Sequence, residues 1–267
     1  EESLEEAIEY AEDLENIEVF AFVYNYAGIF YKKIKNIKKS IKYFEKAIKS
    51  QNKIGDKHEL ANYYHNMANC FGMDGNAEQM LNLIKRSQKN YLELDDTSRL
   101  GNSYAEMGNA FKTLHQLDES ISMFEKAKPI FFSEEMYFKY SQVLIIQSDV
   151  FIDLSEFDNA NKNLEEAEKY AGKFDNPMMN GRIAYSFGRV MYGKGDLSDA
   201  SDYIDESIEI FQDLNNKGQL ASLYLLKANI LIDRKRLKRV DKYIDKAEKY
   251  MKRLNDLGLE SNLKLTK

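Results

Sequence analysis

The tetrapeptide Phe44-Glu45-Lys46-Ala47 recurs as Phe124-Glu125-Lys126-Ala127, and the two copies are twice forty residues apart. Stepping by forty from the alanine of either copy always reaches a small residue. This series is Ala7, Ala47, Ser87, Ala127, Ala167, Ser207 and Ala247. The large apolar residues three positions before them are Leu4, Phe44, Ile84, Phe124, Leu164, Ile204 and Ile244. A spacing of three puts both side chains on one helix face, so the pattern predicts a repeated helical unit.

Two further series keep the same period. One runs Gly28, Ala68, Gly108, Ser148, Gly188 and Ala228, and the other Ala21, Ala61, Gly101, Ser141, Gly181 and Ala221. Small residues let two helix backbones approach closely. Short polar turns divide each unit in two, at Lys35-Asn36, Gly75-Asn76, His115-Gln116, Ser155-Glu156, Gly195-Asp196 and Lys235-Arg236. Each unit is therefore predicted to be a helical hairpin, with N-caps of the next hairpin expected at Asp95, Asp175, Asn215 and Asn255.

These spacings resemble the tetratricopeptide repeat (TPR) motif over nearly the whole chain, from Leu4 to about Met251. The resemblance implies an all-α, right-handed superhelical solenoid of antiparallel helix pairs, with six full repeats after a leading half repeat. The usual TPR period is 34 residues. The longer form is similar to bacterial peptide-pheromone receptors of the Rap, PlcR and NprR group and to sensory TPR regulators. We expect one repeat domain, residues 1–267, belonging to a longer protein.

Composition and charge indicate which classes of partner the protein does not bind. The formal net charge is −6, and Lys and Glu alternate along most segments, so we expect no direct contact with nucleic acid. No apolar run approaches the ~20 residues of a membrane span, so no membrane association is predicted. A single cysteine, Cys70, cannot form an internal disulfide, which favours a cytoplasmic location. Cys70 itself is expected to be a small buried side chain and not a nucleophile.

The resemblance implies that the first helix of each pair lines a concave groove, with motif positions 2, 5 and 9 facing it. Positions 2 and 9 are two helical turns apart and share a stripe, which carries side-chain amides in several repeats. An amide can donate to a peptide carbonyl and accept from a peptide N–H at once. Phe22 and Ile29 break the pattern in the first repeat. The candidate peptide-binding residues are Asn25, Asn62, His65, Asn66, Asn69, Asn102, Asn109, Gln142, Asp149, Arg182, Tyr185, Arg189 and Asn229.

Within this set, Arg182 and Arg189 would supply a cationic end for a ligand carboxylate. The alternative is that the stripe is only the solvated face that every TPR first helix needs. Asparagine is a poorer helix former than the Lys and Glu of the outer faces, so its repetition favours a binding role. The carboxylate clamp of chaperone-tail binders is not indicated, because only Asn66 matches it and Glu106 has the wrong charge.

No chemistry is predicted for the chain. The three histidines are scattered over different repeats, no set of residues shows metal-ligand spacing, and no phosphate loop or hydrolase motif occurs. We therefore expect no catalytic residue, no metal and no cofactor. The phosphatases among the pheromone receptors would need an N-terminal bundle that the repeats do not supply.

The predicted function is the sensor or interaction part of a bacterial-type regulator, binding an extended peptide or protein segment in its groove. The alternative is a scaffold that assembles large protein partners without a signalling ligand. A homodimer is compatible with the sequence. Pro129 is expected to kink or end its helix and to create an irregular junction near residues 128–138, whereas Pro177 fits the first turn of a helix.

Overall fold

A computed structural model describes residues 2–13 and 16–254 of the chain. All regular structure in these ranges is helical. The first seven helices are α1 (Glu2–Asp13), α2 (Ile17–Lys33), α3 (Ile37–Ile54), α4 (Lys57–Met73), α5 (Ala77–Glu93), α6 (Thr97–Thr113) and α7 (Leu117–Ser133). The others are α8 (Tyr137–Asp153), α9 (Phe157–Ala171), α10 (Pro177–Lys194), α11 (Leu197–Asp213), α12 (Lys217–Asp233), a 3-10 turn (Leu237–Arg239) and α13 (Val240–Leu254). None of these helices combines the length and apolar character that a membrane crossing needs.

The helices pack as hairpins in two compact units, Glu1–Glu135 and Met136–Lys267. In unit 1, α1 packs on α2, and the hairpins are α2–α3, α4–α5 and α6–α7. In unit 2 the hairpins are α8–α9, α10–α11 and α12–α13. The predicted all-α TPR-type fold, with six helix pairs after a leading half repeat, is confirmed. The boundary between the units falls within the stretch 128–138.

The forty-residue series lie where the two helices of a hairpin touch. A Cβ atom added to Gly28 would lie 2.6 Å from the Phe44 ring, and one added to Gly108 would lie 2.5 Å from the Phe124 ring. Both phenylalanines are fully buried. In three of the other hairpins the small residue is alanine or serine and its large partner is the smaller isoleucine or leucine. In the remaining one, Gly188 faces Ile204, whose Cδ1 would lie 2.6 Å from an added Cβ. In these six hairpins phenylalanine therefore lies opposite glycine alone, whereas isoleucine lies opposite either glycine or alanine.

The six predicted turns are confirmed, and they share one backbone conformation. The first residue of each turn is left-handed, with φ between 56° and 85°, although only two of the six are glycines. The second residue precedes the next helix. At Asn36, Asn76 and Asp196 its side chain accepts a hydrogen bond from the N–H three residues later, which is the geometry of an N-cap.

The N-caps expected between hairpins are wrong by one residue. Asp95 and Asn215 have φ values of 52° and 49° and end the preceding turn. The caps are the residues that follow, Asp96, Asn176 and Asn216, whose side chains accept from backbone N–H groups. Asparagine and aspartate tolerate the left-handed region and also cap helices, so two such residues in a row can fill both roles. The cap expected at Asn255 lies outside the described residues.

The two prolines differ. α7 continues through Pro129 to Ser133, so the expectation that Pro129 ends this helix is wrong. Proline removes one helical hydrogen bond, but Phe124, Ala127 and Phe131 are buried on both sides of it, and their packing holds the helix together. Pro177 is the first residue of α10, directly after the N-cap, as predicted.

Candidate functional site

Unit 1 gathers five of the predicted binding residues around one cavity of about 350 Å³. They come from α2, α4 and α6 and are Asn25, Asn62, His65, Asn66 and Asn102. All five are half-buried. Glu59, Tyr91 and Arg99 complete the wall, and the motif positions did not indicate them. Glu59 and Arg99 lie one turn before predicted residues, so helical spacing could have found them, whereas Tyr91 reaches in from the second helix α5.

Hydrogen bonds orient the amides of this cavity. Asn66 Nδ2 donates to Asn25 Oδ1 at 3.2 Å and joins the neighbouring helices α4 and α2. The Tyr91 hydroxyl donates to Asn62 Oδ1 at 3.1 Å, and Asn62 Nδ2 donates to Glu59 Oε1 at 3.3 Å. The described part of the chain provides no partner for Asn25 Nδ2 or Asn66 Oδ1. One donor and one acceptor on adjacent helices are therefore held in place and unused.

Most charged groups around the cavity are already paired with another side chain. The Arg99 guanidinium pairs with Asp96 and lies 3.0 Å from His58 Nε2. His65 Nε2 lies 3.3 Å from Glu106 Oε1. Burial lowers the pKa of His65, and the nearby Lys32 and Arg99 lower it further. The His65 imidazole is therefore neutral at pH 7, and its buried Nδ1 atom has no hydrogen-bond partner in the described residues.

Asn69 and Asn109 line a second cavity of unit 1, of about 360 Å³. Its other walls include Met73, Met80 and Thr113, so it is more apolar than the first. Residues of the predicted stripe thus line two different cavities in this unit. The first is rich in amides and charges, and the second is more apolar and lies beside the α4–α5 turn.

An aromatic pair lies beside the amide cavity. Phe22 and Tyr26 are 61% and 60% exposed, and their ring centroids are 5.9 Å apart. They flank Asn25 on α2, one at three residues before it and the other directly after it. The break that the first repeat makes in the amide stripe is therefore an exposed apolar surface next to the Asn25–Asn66 pair.

In unit 2 the predicted arginine is already paired. Arg189 donates to Asp149 Oδ1 at 2.6 Å and to Asp153 Oδ1 at 3.0 Å, and its guanidinium lies 5.8 Å from the Tyr185 ring centre. Burial raises the pKa of Tyr185. Arg189 thus offers no free positive charge, and a ligand carboxylate would have to displace a protein carboxylate. The pairing arises because Asp149 and Arg189 occupy the same motif position in successive repeats.

The other predicted residues of unit 2 are less gathered. Gln142, Arg182 and Asn229 lie half-buried on α8, α10 and α12, one on each first helix. Arg182 has no ion-pair partner in the described residues. Of the two predicted arginines, Arg182 and not Arg189 is therefore the one whose charge is left for a ligand in the part of the chain that the structure describes.

Cys70 is structural, as expected. It is fully buried, and its Sγ lies 3.1 Å from Ser40 Oγ. Burial raises the pKa of the thiol, so the reactive thiolate is disfavoured. Among the described residues, no group of three or more His, Cys, Asp or Glu side chains is arranged to hold a metal ion.

Comparison with known proteins places the fold. Residues 10–180 match the sequence model of the family described as SNAP, soluble NSF attachment protein. Curated proteins yield no match. Among solved structures, the apo form of RapI has a TM-score of 0.78 at 14% identity, covering 95% of this chain and 91% of RapI. A Rap protein complexed with competence and sporulation factor has a TM-score of 0.65 at 16% identity, covering 98% of this chain and 68% of that one.

A third structure is similar over almost the whole chain. It is a signal-transduction ATPase with a tetratricopeptide-repeat sensor from Pyrococcus horikoshii, with a TM-score of 0.78 at 16% identity. The match covers 99% of this chain and 42% of that protein. At such identities the likeness shows the fold alone, and this fold is the TPR-type arrangement of helix hairpins that Rap proteins also have.

Proposed function

The chain belongs to the soluble NSF attachment protein family, and from this premise we propose that it is a protein-interaction domain whose first helices bind an extended polypeptide segment. The proposal places the segment on the inner face of unit 1, along the cavity that Asn25, Asn62, His65, Asn66 and Asn102 line. We further propose that this binding is the sensing step of a regulator.

The observation that carries the proposal is the unused donor and acceptor of the Asn25–Asn66 pair. In an extended segment the N–H and the C=O of one residue point to the same side, so the main chain of one ligand residue can satisfy Asn25 Nδ2 and Asn66 Oδ1 together. The hydrogen bond between the two side chains fixes both before a ligand arrives, which reduces the entropy lost on binding. Such contacts recognise the main chain and leave the choice of sequence to neighbouring surfaces.

The neighbouring surface favours an apolar side chain. Phe22 and Tyr26 expose most of their rings beside Asn25. A peptide whose backbone lies on the Asn25–Asn66 pair can place a large aliphatic or aromatic side chain over these rings, removing apolar area from water. We therefore propose a ligand with such a residue next to the anchored peptide group.

The regulatory part of the proposal draws on the fold. The neighbours include a Rap protein in complex with competence and sporulation factor and an ATPase whose TPR region is a sensor. A solenoid of hairpins can convert binding at one site into small rotations between neighbouring repeats. No catalytic role is included in the proposal.

A second candidate is an attachment protein or scaffold that holds large partners. The family match favours it, since attachment proteins are what the family name describes. A scaffold uses the edges and outer faces of its helices as well as the inner face. Binding would then survive loss of the Asn25–Asn66 pair.

The test is peptide binding to matched variants. A library of nine-residue peptides, with and without a central Leu or Phe, is screened by the rise in melting temperature, and affinities of the responding peptides are measured by calorimetry. Asn25→Ala/Asn66→Ala should weaken binding about tenfold to a hundredfold, since two hydrogen bonds of ~1 kcal/mol each are lost. Asn52→Ala/Asn82→Ala, on the outer helices α3 and α5, is the control and should leave the affinity unchanged.

Two results would contradict the proposal. One is an equal affinity of both double variants for the responding peptides. The other is a complete lack of peptide response together with capture of a folded protein partner that Asn25→Ala/Asn66→Ala does not weaken. The second result would establish the scaffold instead.

A further inference from the structure

Two outer helices depart from the mixed charge that the sequence as a whole suggests. α3 carries six lysines and one glutamate. α11 carries six carboxylates and no lysine or arginine. These two helices are exceptions to the alternation of Lys and Glu that holds along most segments. α3 belongs to unit 1 and α11 to unit 2.

The charges form one exposed stripe on each helix. We call Lys38, Lys42, Lys49 and Lys53 the α3 stripe, and Asp202, Glu206, Glu209 and Asp213 the α11 stripe. All eight residues are exposed. At 100° per residue, each stripe spans about 60° of its helix surface, so the four charges point in nearly one direction.

One exposed carboxylate, Glu45, lies within the α3 stripe, between Lys42 and Lys49, so the stripe keeps a net positive charge; the α11 stripe contains no cation. In the described residues, none of these eight side chains takes part in an ion pair. Like charges one helical turn apart destabilise a helix, and both stripes contain such pairs, for example Lys38 with Lys42 and Glu209 with Asp213. Each stripe therefore keeps a repulsion that an external counter-charge would relieve.

The negative charge around the α11 stripe affects the pKa of Tyr203 on the same helix. Burial raises the pKa of Tyr203, and Glu168, Glu206, Asp199 and Glu165 raise it further. The carboxylates of α9 thus add to those of α11 on this side of unit 2. The α11 stripe is part of an acidic surface and not an isolated row of residues.

The two stripes match in spacing as well as in sign. Lys42, Lys49 and Lys53 are separated by seven and then four residues, about 10 Å and 6 Å along the helix. Asp202, Glu209 and Asp213 have the same separations in the same direction, and Asp213, Glu206 and Asp202 have them in the opposite direction. Three lysines can therefore face three carboxylates whether the two helices lie parallel or antiparallel.

From this complementarity we propose that copies of the protein associate through the α3 stripe of one copy and the α11 stripe of another. The second copy fits better than a nucleic acid, because its carboxylates repeat at the helical spacing of the lysines. The contact is rich in exposed charge, so it is weak and sensitive to salt. It does not depend on the inner face of unit 1 and stands apart from the proposed peptide binding.

The test is a charge-reversal experiment read by sedimentation velocity at 50 and 500 mM salt. The wild type should exceed the monomer mass at 50 mM and return to it at 500 mM. Lys42→Glu/Lys49→Glu and Asp202→Lys/Glu209→Lys should each be monomeric at 50 mM, with association at least about tenfold weaker. An equimolar mixture of the two variants should associate again, because each supplies the charge that the other has lost.

The control is Lys85→Glu/Lys89→Glu on α5, which makes the same change of net charge at exposed residues of unit 1. It should associate like the wild type. Lysine and glutamate have similar helix propensities, and circular dichroism checks that all variants are folded. A monomeric wild type at 50 mM salt and several hundred micromolar overturns the proposal. So does a mixture that stays monomeric, or a duplex DNA that binds the α3 stripe while the protein alone stays monomeric.

Discussion

Replacing Gly108 with alanine should destabilise the α6–α7 hairpin, although alanine is the better helix former. The new Cβ would lie 2.5 Å from Phe124 Cε1, and 2.7 and 2.8 Å from two further ring atoms. Ordinary contact begins at 3.4 Å, so the ring must move by about 0.9 Å, the difference between the two distances. Phe124 is fully buried, and a close-packed interior leaves little room for its ring to move.

The expected magnitude combines two effects of opposite sign. Overpacking a core costs ~1–3 kcal/mol, and a clash with three ring atoms belongs to the upper part of that range. Glycine to alanine in a helix returns up to ~1 kcal/mol. Gly108→Ala should therefore lower the free energy of unfolding by about 1–2 kcal/mol, measured by urea denaturation. Gly218→Ala on α12 is the control: its nearest neighbour is an atom of Asn216 at 3.7 Å, so stability should stay equal or rise.

The same substitution should behave differently in a Phe124→Leu variant. In Phe124→Leu the ring is gone, and leucine faces a larger residue than glycine at the equivalent place, where Leu164 lies opposite Ser148. Gly108→Ala should there be neutral or stabilising, so the double-mutant cycle should give a coupling of about 2 kcal/mol. If Gly108→Ala stabilises the wild type, or has the same effect in both backgrounds, the size-matching account is wrong.

Three further predictions follow from the described contacts. Burial lowers the pKa of His65, so below about pH 6.5 the unfolded chain binds a proton that the folded chain does not. The free energy of unfolding should therefore decrease as the pH falls below 6.5, and it should decrease less steeply in His65→Gln. Urea denaturation between pH 5.5 and 7.5 measures both. Arg189→Gln, which breaks a half-buried pair of ion contacts, should cost about 1–2 kcal/mol in thermal unfolding. Lys194→Gln, whose carboxylate partner is 86% exposed, should leave the melting temperature nearly unchanged. Cys70 should react with a thiol reagent only when the protein unfolds; a fast reaction in native buffer would contradict its burial.

The hairpins could be predicted from the sequence because each is held by contacts between residues a fixed distance apart. Gly75 and Gly195 mark a left-handed turn by their type, and the forty-residue period carries that conformation to Lys35 and His115, which would not suggest it alone. Spacing alone misplaces the caps by one residue, because Asp95 and Asp96 are both plausible caps and only the backbone angle distinguishes them.

The candidate site was only partly predictable. The motif positions 2 and 5 identify Asn25, Asn62 and His65, because residues at equivalent positions share a helix face. They could not show that Arg189 is already paired with Asp149, because this depends on the distance between neighbouring first helices. Tyr91 was missed because it enters the cavity from a second helix. Contacts along one helix follow from spacing, whereas contacts between helices require the structure.

The matching of small and large residues lies inside each hairpin, as between Gly28 and Phe44, and this bears on how such a chain changes in evolution. A forty-residue repeat contains both the small residue and the large residue of its own helix–helix contact, so duplication of one repeat also duplicates a packed interface. Substitutions must be correlated within a repeat, but neighbouring repeats can drift independently in side-chain size. The mixture of Gly–Phe, Ala–Ile, Ser–Leu and Gly–Ile hairpins in one chain is what such independent drift would leave, and it makes whole hairpins the natural unit for grafting.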